Sequence, residues 1–113
     1  MTSIIQNNKE CFVCGTKNNL HKHHIFEGRN RNNSEKYGCW CFLCDIHHNM
    51  SDKGVHFNKE LDNRLKELAE IKWLCQDYDR SINDFIDIFR RNYLWKKYGK
   101  TFLTMKDCIK CLI

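Results

Sequence analysis

The sequence predicts an α+β fold: a cysteine-rich half with two short strands, covered by C-terminal helices. Three patterns carry that expectation. Two ligand-type pairs, Cys11 with Cys14 and Cys44 with His47, are each separated by two residues. Two apolar and aromatic runs, Leu20 to Phe26 and Tyr37 to Leu43, have the composition of strands. From Asn58 onward, apolar residues recur at the three- and four-residue spacing of a helix.

Taken in chain order, residues 1–10 are polar and read as a flexible arm. Cys11 to Gly15 has the form of a zinc knuckle, with Gly15 permitting the tight turn that points two thiolates at one ion. Asn18-Asn19 is a turn, and Leu20 to Phe26 the first strand. Glu27 to Lys36 is polar and basic and is expected to be a loop, followed by the second strand, Tyr37 to Leu43. Cys44 to Ser51 opens a short helix that Asp52-Lys53-Gly54 ends. Asn58 caps a helix whose apolar face is Leu61, Leu65, Leu68, Ile71 and Leu74. Ser81 and Asp84 form a capping box before Ile82, Phe85, Ile86, Phe89 and Tyr93. Thr104 and Asp107 repeat it before Met105, Cys108, Ile109 and Leu112. The expected division is an arm over residues 1–10, a zinc-stabilised core over 11–58 and a helical extension over 59–113 packed on that core.

Composition narrows the class. A chain of 113 residues fits one domain with a modest core, which a bound metal would help to stabilise. Lys and Arg total 19 against 14 Asp and Glu, and the net charge of +5 suits a polyanionic partner without requiring one. Met1 to Glu10 contains no apolar signal-type segment, and the apolar stretch Cys39 to Cys44 is far too short to span a membrane. A cytoplasmic protein with reduced thiols and no membrane partner is therefore expected, and its closely paired cysteines point to metal rather than disulfides.

Zinc takes four nitrogen or sulfur ligands in a tetrahedron. Cys11 and Cys14 from one turn, with Cys44 and His47 from the start of a helix, supply them in a treble-clef-like arrangement. If His47 faces that ion, the adjacent His48 points elsewhere and can face the strand carrying His23 and His24. Two imidazoles then hold a divalent cation, while a third stays free to take a proton from water near neutral pH.

His23-His24-Ile25 followed by Leu43-Cys44 and His47-His48-Asn49 resembles the HNH nuclease motif in its zinc-containing form. His24-Ile25-Phe26, Asn30-Arg31, Ser34 to Gly38 and Gly54 to Asn58 resemble, more narrowly, small HNH-like proteins of phages and prophages. The likeness runs from about Cys11 to Asn58 and weakly on to Leu94. It implies a ββα-metal core hydrolysing DNA phosphodiester bonds in a bacterial or phage-infected cell. His24 matches the general base, and His23 and His48 match ligands of a catalytic Mg²⁺ or similar ion. His56 matches a histidine that is either a further ligand or a phosphate contact. Cys11, Cys14, Cys44 and His47 match the ligands of a structural Zn²⁺. The motif's middle Asn has no counterpart at Gly38, Cys39 or Trp40, and either Asn30, Asn32 or Asn33 replaces it or the pin is absent. The alternatives are a zinc-stabilised nucleic-acid-binding module without activity, or an accessory protein acting with a phage or host DNA-processing protein.

Arg29, Arg31 and Lys36 flank the expected cleft and are candidate phosphate contacts, although charge runs as often simply face water. Lys96, Lys97, Lys100 and Lys106 interleave with Trp95, Tyr98 and Phe102, a pattern more often of a helix packing its rings than of a nucleic-acid grip. Cys39, Cys41, Cys75, Cys108 and Cys111 read as free thiols rather than a second zinc site, and His21 as incidental.

Overall fold

The computed structural model describes residues 2–50, 54–56 and 58–94. The basic-aromatic segment from Trp95, the third capping box, Cys108 and Cys111 lie outside them, as do Ser51, Asp52, Lys53 and Phe57. The fold is α+β. Strands β1 (Leu20–His24) and β2 (Trp40–Cys44) pair antiparallel, in a register that sets Leu20 opposite Cys44 and His24 opposite Trp40. Between them lie a 3₁₀ turn, Gly28–Asn30, and helix α1 (Arg31–Tyr37). A single π-helical turn, Ile46–Met50, follows β2, and helices α2 (Lys59–Cys75) and α3 (Ile82–Phe89) complete the described chain.

The segment expected as a loop over Glu27 to Lys36 is thus mostly helical. Its polar side chains face partners that composition does not reveal. Ser34 is fully buried, and its hydroxyl donates to the Phe26 carbonyl at 2.8 Å and accepts from the Phe26 N–H at 3.0 Å. The Asn30 and Asn33 amides donate to the Phe89 and Ile88 carbonyls, orphans at the C-terminus of α3. Gly38 closes α1 in the left-handed region at φ 74°, where a Cβ would strike the Thr2 carbonyl. That close approach is part of a wider contact. Ile4 N–H donates to the Gly38 carbonyl at 2.9 Å, Ile5 is buried, and the Gln6 side chain accepts from Phe42 N–H. Residues 2–6 therefore lie along β2 instead of forming a loose arm.

The two expected caps that fall among the described residues are present. Asn58 accepts from Leu61 N–H, and Ser81 and Asp84 bond reciprocally in a capping box. Leu65 and Leu74 on α2 are buried, while Leu61, Leu68 and Ile71 pack at the margin of the core. Phe26, at the end of the first strand's run, packs tilted against Phe89 and edge-on against Phe85 of α3 at ring separations of 4.5 and 5.4 Å. Aromatic burial of this kind, about 1.5–3 kcal/mol per side chain, fixes the helices on the strand that carries the histidines.

Candidate metal centres and the histidine cleft

The four sequence-predicted zinc ligands come together. The ligand atoms of Cys11, Cys14, Cys44 and His47 all lie within 4.8 Å of one another, compatible with a bound metal such as zinc. The knuckle's Gly15 has φ 78°, and its N–H donates to the Cys11 carbonyl at 2.8 Å, which turns Cys14 back towards Cys11. Cys14 and Cys44 Sγ are 3.8 Å apart, and His47 Nδ1 is 3.2 Å from Cys44 Sγ and 3.8 Å from Cys11 Sγ. A tetrahedral zinc with bonds of about 2.3 Å to sulfur and about 2.05 Å to nitrogen spaces two sulfurs by about 3.8 Å and sulfur from nitrogen by about 3.6 Å. The donor set therefore fits, and the sulfurs are too far apart for a disulfide. Burial pushes the Cys11 thiol up, but the backbone hydrogen bonds from Cys44, Cys14 and Val13, with the Cys14 side chain, outweigh it and bring it down to about 6. A thiolate at neutral pH is the form a metal binds.

The π turn separates His47 from His48. Val55 N–H donates to the His47 carbonyl and His56 N–H to the His48 carbonyl, folding residues 54–56 back onto the turn. This brings His56 Nε2 to 3.1 Å from His48 Nε2. His23 joins them from β1, and ligand atoms of His23, His48 and His56 lie within 4.8 Å of one another. Burial, then the neighbouring His48, His56, His24 and Lys66 charges, depresses His23 to about 3. Burial, then His56 and His21, depresses His48 to about 4. Both are neutral at pH 7, as metal ligation requires.

His24 is not part of this cluster. Successive strand residues face opposite sides of a sheet, so His21 and His23 turn inward and Lys22 and His24 outward. The expected ion ligands His23, His48 and His56 lie together, and His24, expected to stay free of the ion, lines the same cleft beside them. Its Nε2 lies 3.2 Å from Glu35 Oε2, while Lys22 Nζ holds Glu35 Oε1 at 2.7 Å. The Lys22 hydrogen bond foremost, reinforced by His24, lowers the Glu35 carboxyl and keeps it ionised. A carboxylate only accepts, so Nε2 of His24 carries a proton, which in the neutral ring leaves the lone pair on Nδ1.

The cleft, about 260 Å³, is lined by Lys22, His23, His24, Glu27, Gly28, Arg31, His48 and His56. Of the three candidate phosphate contacts, Arg31 lines it, whereas Arg29 and Lys36 do not. Asn30 and Asn33 are committed to α3 and do not pin the strand bearing His24. Ser34 does the pinning through Phe26. Sequence reasoning missed Glu27, Glu35 and Asp62, and set aside His21, whose Nδ1 meets that of His48. Acidic residues without a motif offer no signal, but His21 and His23 share a face by strand periodicity, which marks the pair. Cys39 and Cys41 are fully buried and pushed up to about 12 by burial; neither joins a ligand cluster among the described residues. No described helix is long and apolar enough to cross a membrane.

Comparisons with protein-family models, with curated proteins and with solved structures gave no match to this chain.

Proposed function

We propose that the chain is a metal-dependent endonuclease of the HNH, ββα-metal type, hydrolysing DNA phosphodiester bonds. The observation that carries this reading is the convergence of His23, His48 and His56 in a cleft that His24 and Arg31 border. In this reading His23, His48 and His56 hold a Mg²⁺-like ion, and Cys11, Cys14, Cys44 and His47 hold a structural zinc. The divalent ion supplies charge stabilisation at the scissile phosphate and its leaving oxygen. His24 takes a proton from water at Nδ1, the nitrogen that Glu35 leaves free. Arg31 holds a phosphate oxygen at the cleft rim, so that the water oxygen attacks phosphorus opposite the leaving group.

The test is plasmid nicking by purified protein with Mg²⁺, Mn²⁺ or EDTA. Nicking that needs a divalent ion and is lost in His24→Ala supports the proposal, and DNA left intact in every metal refutes it. One observation favours a second reading, a module that binds nucleic acid without cutting it. The outer sheet face presents Trp40 and Phe42 with Lys22 and Lys9 over their rings, at 4.1 and 5.7 Å from the ring centres. Aromatic and basic groups of this kind accept stacked bases and phosphates. Retained DNA affinity in a chain that never nicks would select that reading.

A further inference from the structure

We propose that the cation site of the histidine cleft takes carboxylate ligands from Glu27 and from Asp62 of α2, making it a mixed nitrogen–oxygen site for a hard divalent ion. The inference rests on the ion site proposed above and changes its ligand set and its chemistry.

Ligand atoms of His23, Glu27 and Asp62 lie within 4.8 Å of one another, and His23 is shared with the all-histidine group. Two buried atoms there lack a hydrogen-bond partner among the described residues, His23 Nε2 and Asp62 Oδ1. His23 is only 2% exposed, so its unpaired nitrogen has no recourse to bulk water. A buried polar atom without a partner is costly, and a cation between a nitrogen and a carboxylate oxygen relieves both at once. The other Asp62 oxygen is occupied, accepting from Lys66 Nζ at 2.9 Å. That contact holds the carboxylate in place and leaves Oδ1 without a partner among the described residues. Glu27 Oε1 completes the arrangement, 4.0 Å from His23 Nε2.

The ligand types decide the ion. Imidazoles alone suit late transition ions, whereas carboxylate oxygens shift preference towards Mg²⁺ and Mn²⁺. The arrangement also gives α2 a role beyond packing, since its first turn delivers Asp62 to a site otherwise built from β1 and the segment after β2.

The experiment is titration of the full zinc-loaded chain with Mn²⁺ alone, without nucleic acid, followed by electron paramagnetic resonance and calorimetry. Asp62→Asn and Glu27→Gln are each expected to weaken Mn²⁺ binding about tenfold or more. Ni²⁺, which accepts nitrogen ligands, should be weakened far less, with zinc content and melting unchanged. Asp62→Asn binding Mn²⁺ as tightly as the parent overturns the proposal. Should that variant fail to fold, Glu27→Gln on the half-exposed side of the cleft decides by the same criterion. Failure of the nuclease reading looks different: the parent binds Mn²⁺ through Asp62 yet nicks no DNA.

Discussion

The Nδ1 atoms of His21 and His48 lie 3.0 Å apart, so one ring must donate to the other. With Nε2 of His48 facing His56 Nε2, the arrangement that serves an ion has His48 donating from Nδ1 and keeping its Nε2 lone pair for the cleft. Ligating histidines are commonly held in this way by a partner on the far nitrogen. His21→Ala should therefore weaken Mn²⁺ binding roughly tenfold to a hundredfold and leave zinc content unchanged. His21→Asn, whose side-chain carbonyl still accepts, should recover part of the loss. Calorimetric titration of both variants checks this, and unaltered affinity in His21→Ala would mean that the His48 tautomer is fixed by something else.

The Cys11, Cys14, Cys44 and His47 cluster leads to a prediction about composition. A closed four-ligand site resists a mild chelator, so elemental analysis after brief EDTA treatment should find about one zinc per chain. Cys14→Ser removes a ligand that lies at the surface and packs against little, and its loss should nonetheless lower the melting temperature sharply and abolish zinc retention. A variant that melts like the parent would show that these thiols do not hold the scaffold.

Glu70 on α2 supplies a pH dependence. Its side chain is fully buried, Oε1 accepts from Tyr93 N–H at 2.7 Å, and Oε2 has no hydrogen-bond partner among the described residues. Burial, against the lowering effect of Tyr93 N–H and with help from Glu67, pushes the carboxyl up to about 8. A folded-state value above the unfolded one means that this group's stabilising contribution is full below about pH 4.5 and is lost as pH rises towards about 8. Glu70→Gln keeps the acceptor for Tyr93 and cannot ionise. It should match the parent near pH 4.5 and exceed it by on the order of 5 kcal/mol above pH 8, at about 1.4 kcal/mol per pH unit. Taking the difference between variant and parent in denaturant melts cancels the opposite trend from His23. A constant difference across that range would place the Glu70 carboxyl in water.

Gly38→Ala tests the seat of the N-terminal segment. At φ 74° an added Cβ is strained, and it would also meet the Thr2 carbonyl and the Ile4 side chain. A loss on the order of 2 kcal/mol is expected, read as a shift in urea midpoint with little change in slope. If the midpoint does not move, residues 2–6 do not hold to β2 in solution.

What the sequence made legible was whatever has a local period or a fixed spacing. The two ligand pairs, the Asn58 cap and the Ser81–Asp84 box are all found where spacing put them, because each is set within a few residues. Helix α1 was illegible because its support is remote: Ser34 reaches Phe26, and Asn30 and Asn33 reach the end of α3. The histidine cleft was half legible. His23, His24 and His48 were expected together with His56 as a further ligand or phosphate contact, and all four line one cleft, but the turn-back that delivers His56 rests on backbone bonds from Val55 and His56 that composition does not reveal. Glu27 and Asp62 reach His23 only through the tertiary fold.

In the proposed nuclease, His24 and Glu35 separate moving a proton from holding an ion. His24 lines the cleft but is not among the grouped ion ligands, so His24→Ala should leave zinc content, melting and Mn²⁺ affinity close to the parent. Nicking should fall roughly 10²–10⁴-fold, the usual worth of a positioned proton acceptor. Glu35 acts on the same step through His24, since its ionised carboxylate takes Nε2 and sets Nδ1 as the basic nitrogen. Glu35→Gln retains an oxygen that can accept from Nε2 but also brings an amide N–H that can favour the opposite ring orientation. A smaller loss, about tenfold, is expected, with Mn²⁺ affinity unchanged. The same loss accompanied by weaker Mn²⁺ binding would mean that Glu35 acts on the ion site instead. A faster Glu35→Gln would identify the carboxylate as a block on the base, to be displaced when DNA enters. If His24→Ala nicks as fast as the parent, His24 is not the base, and the proton must leave through another group at the cleft.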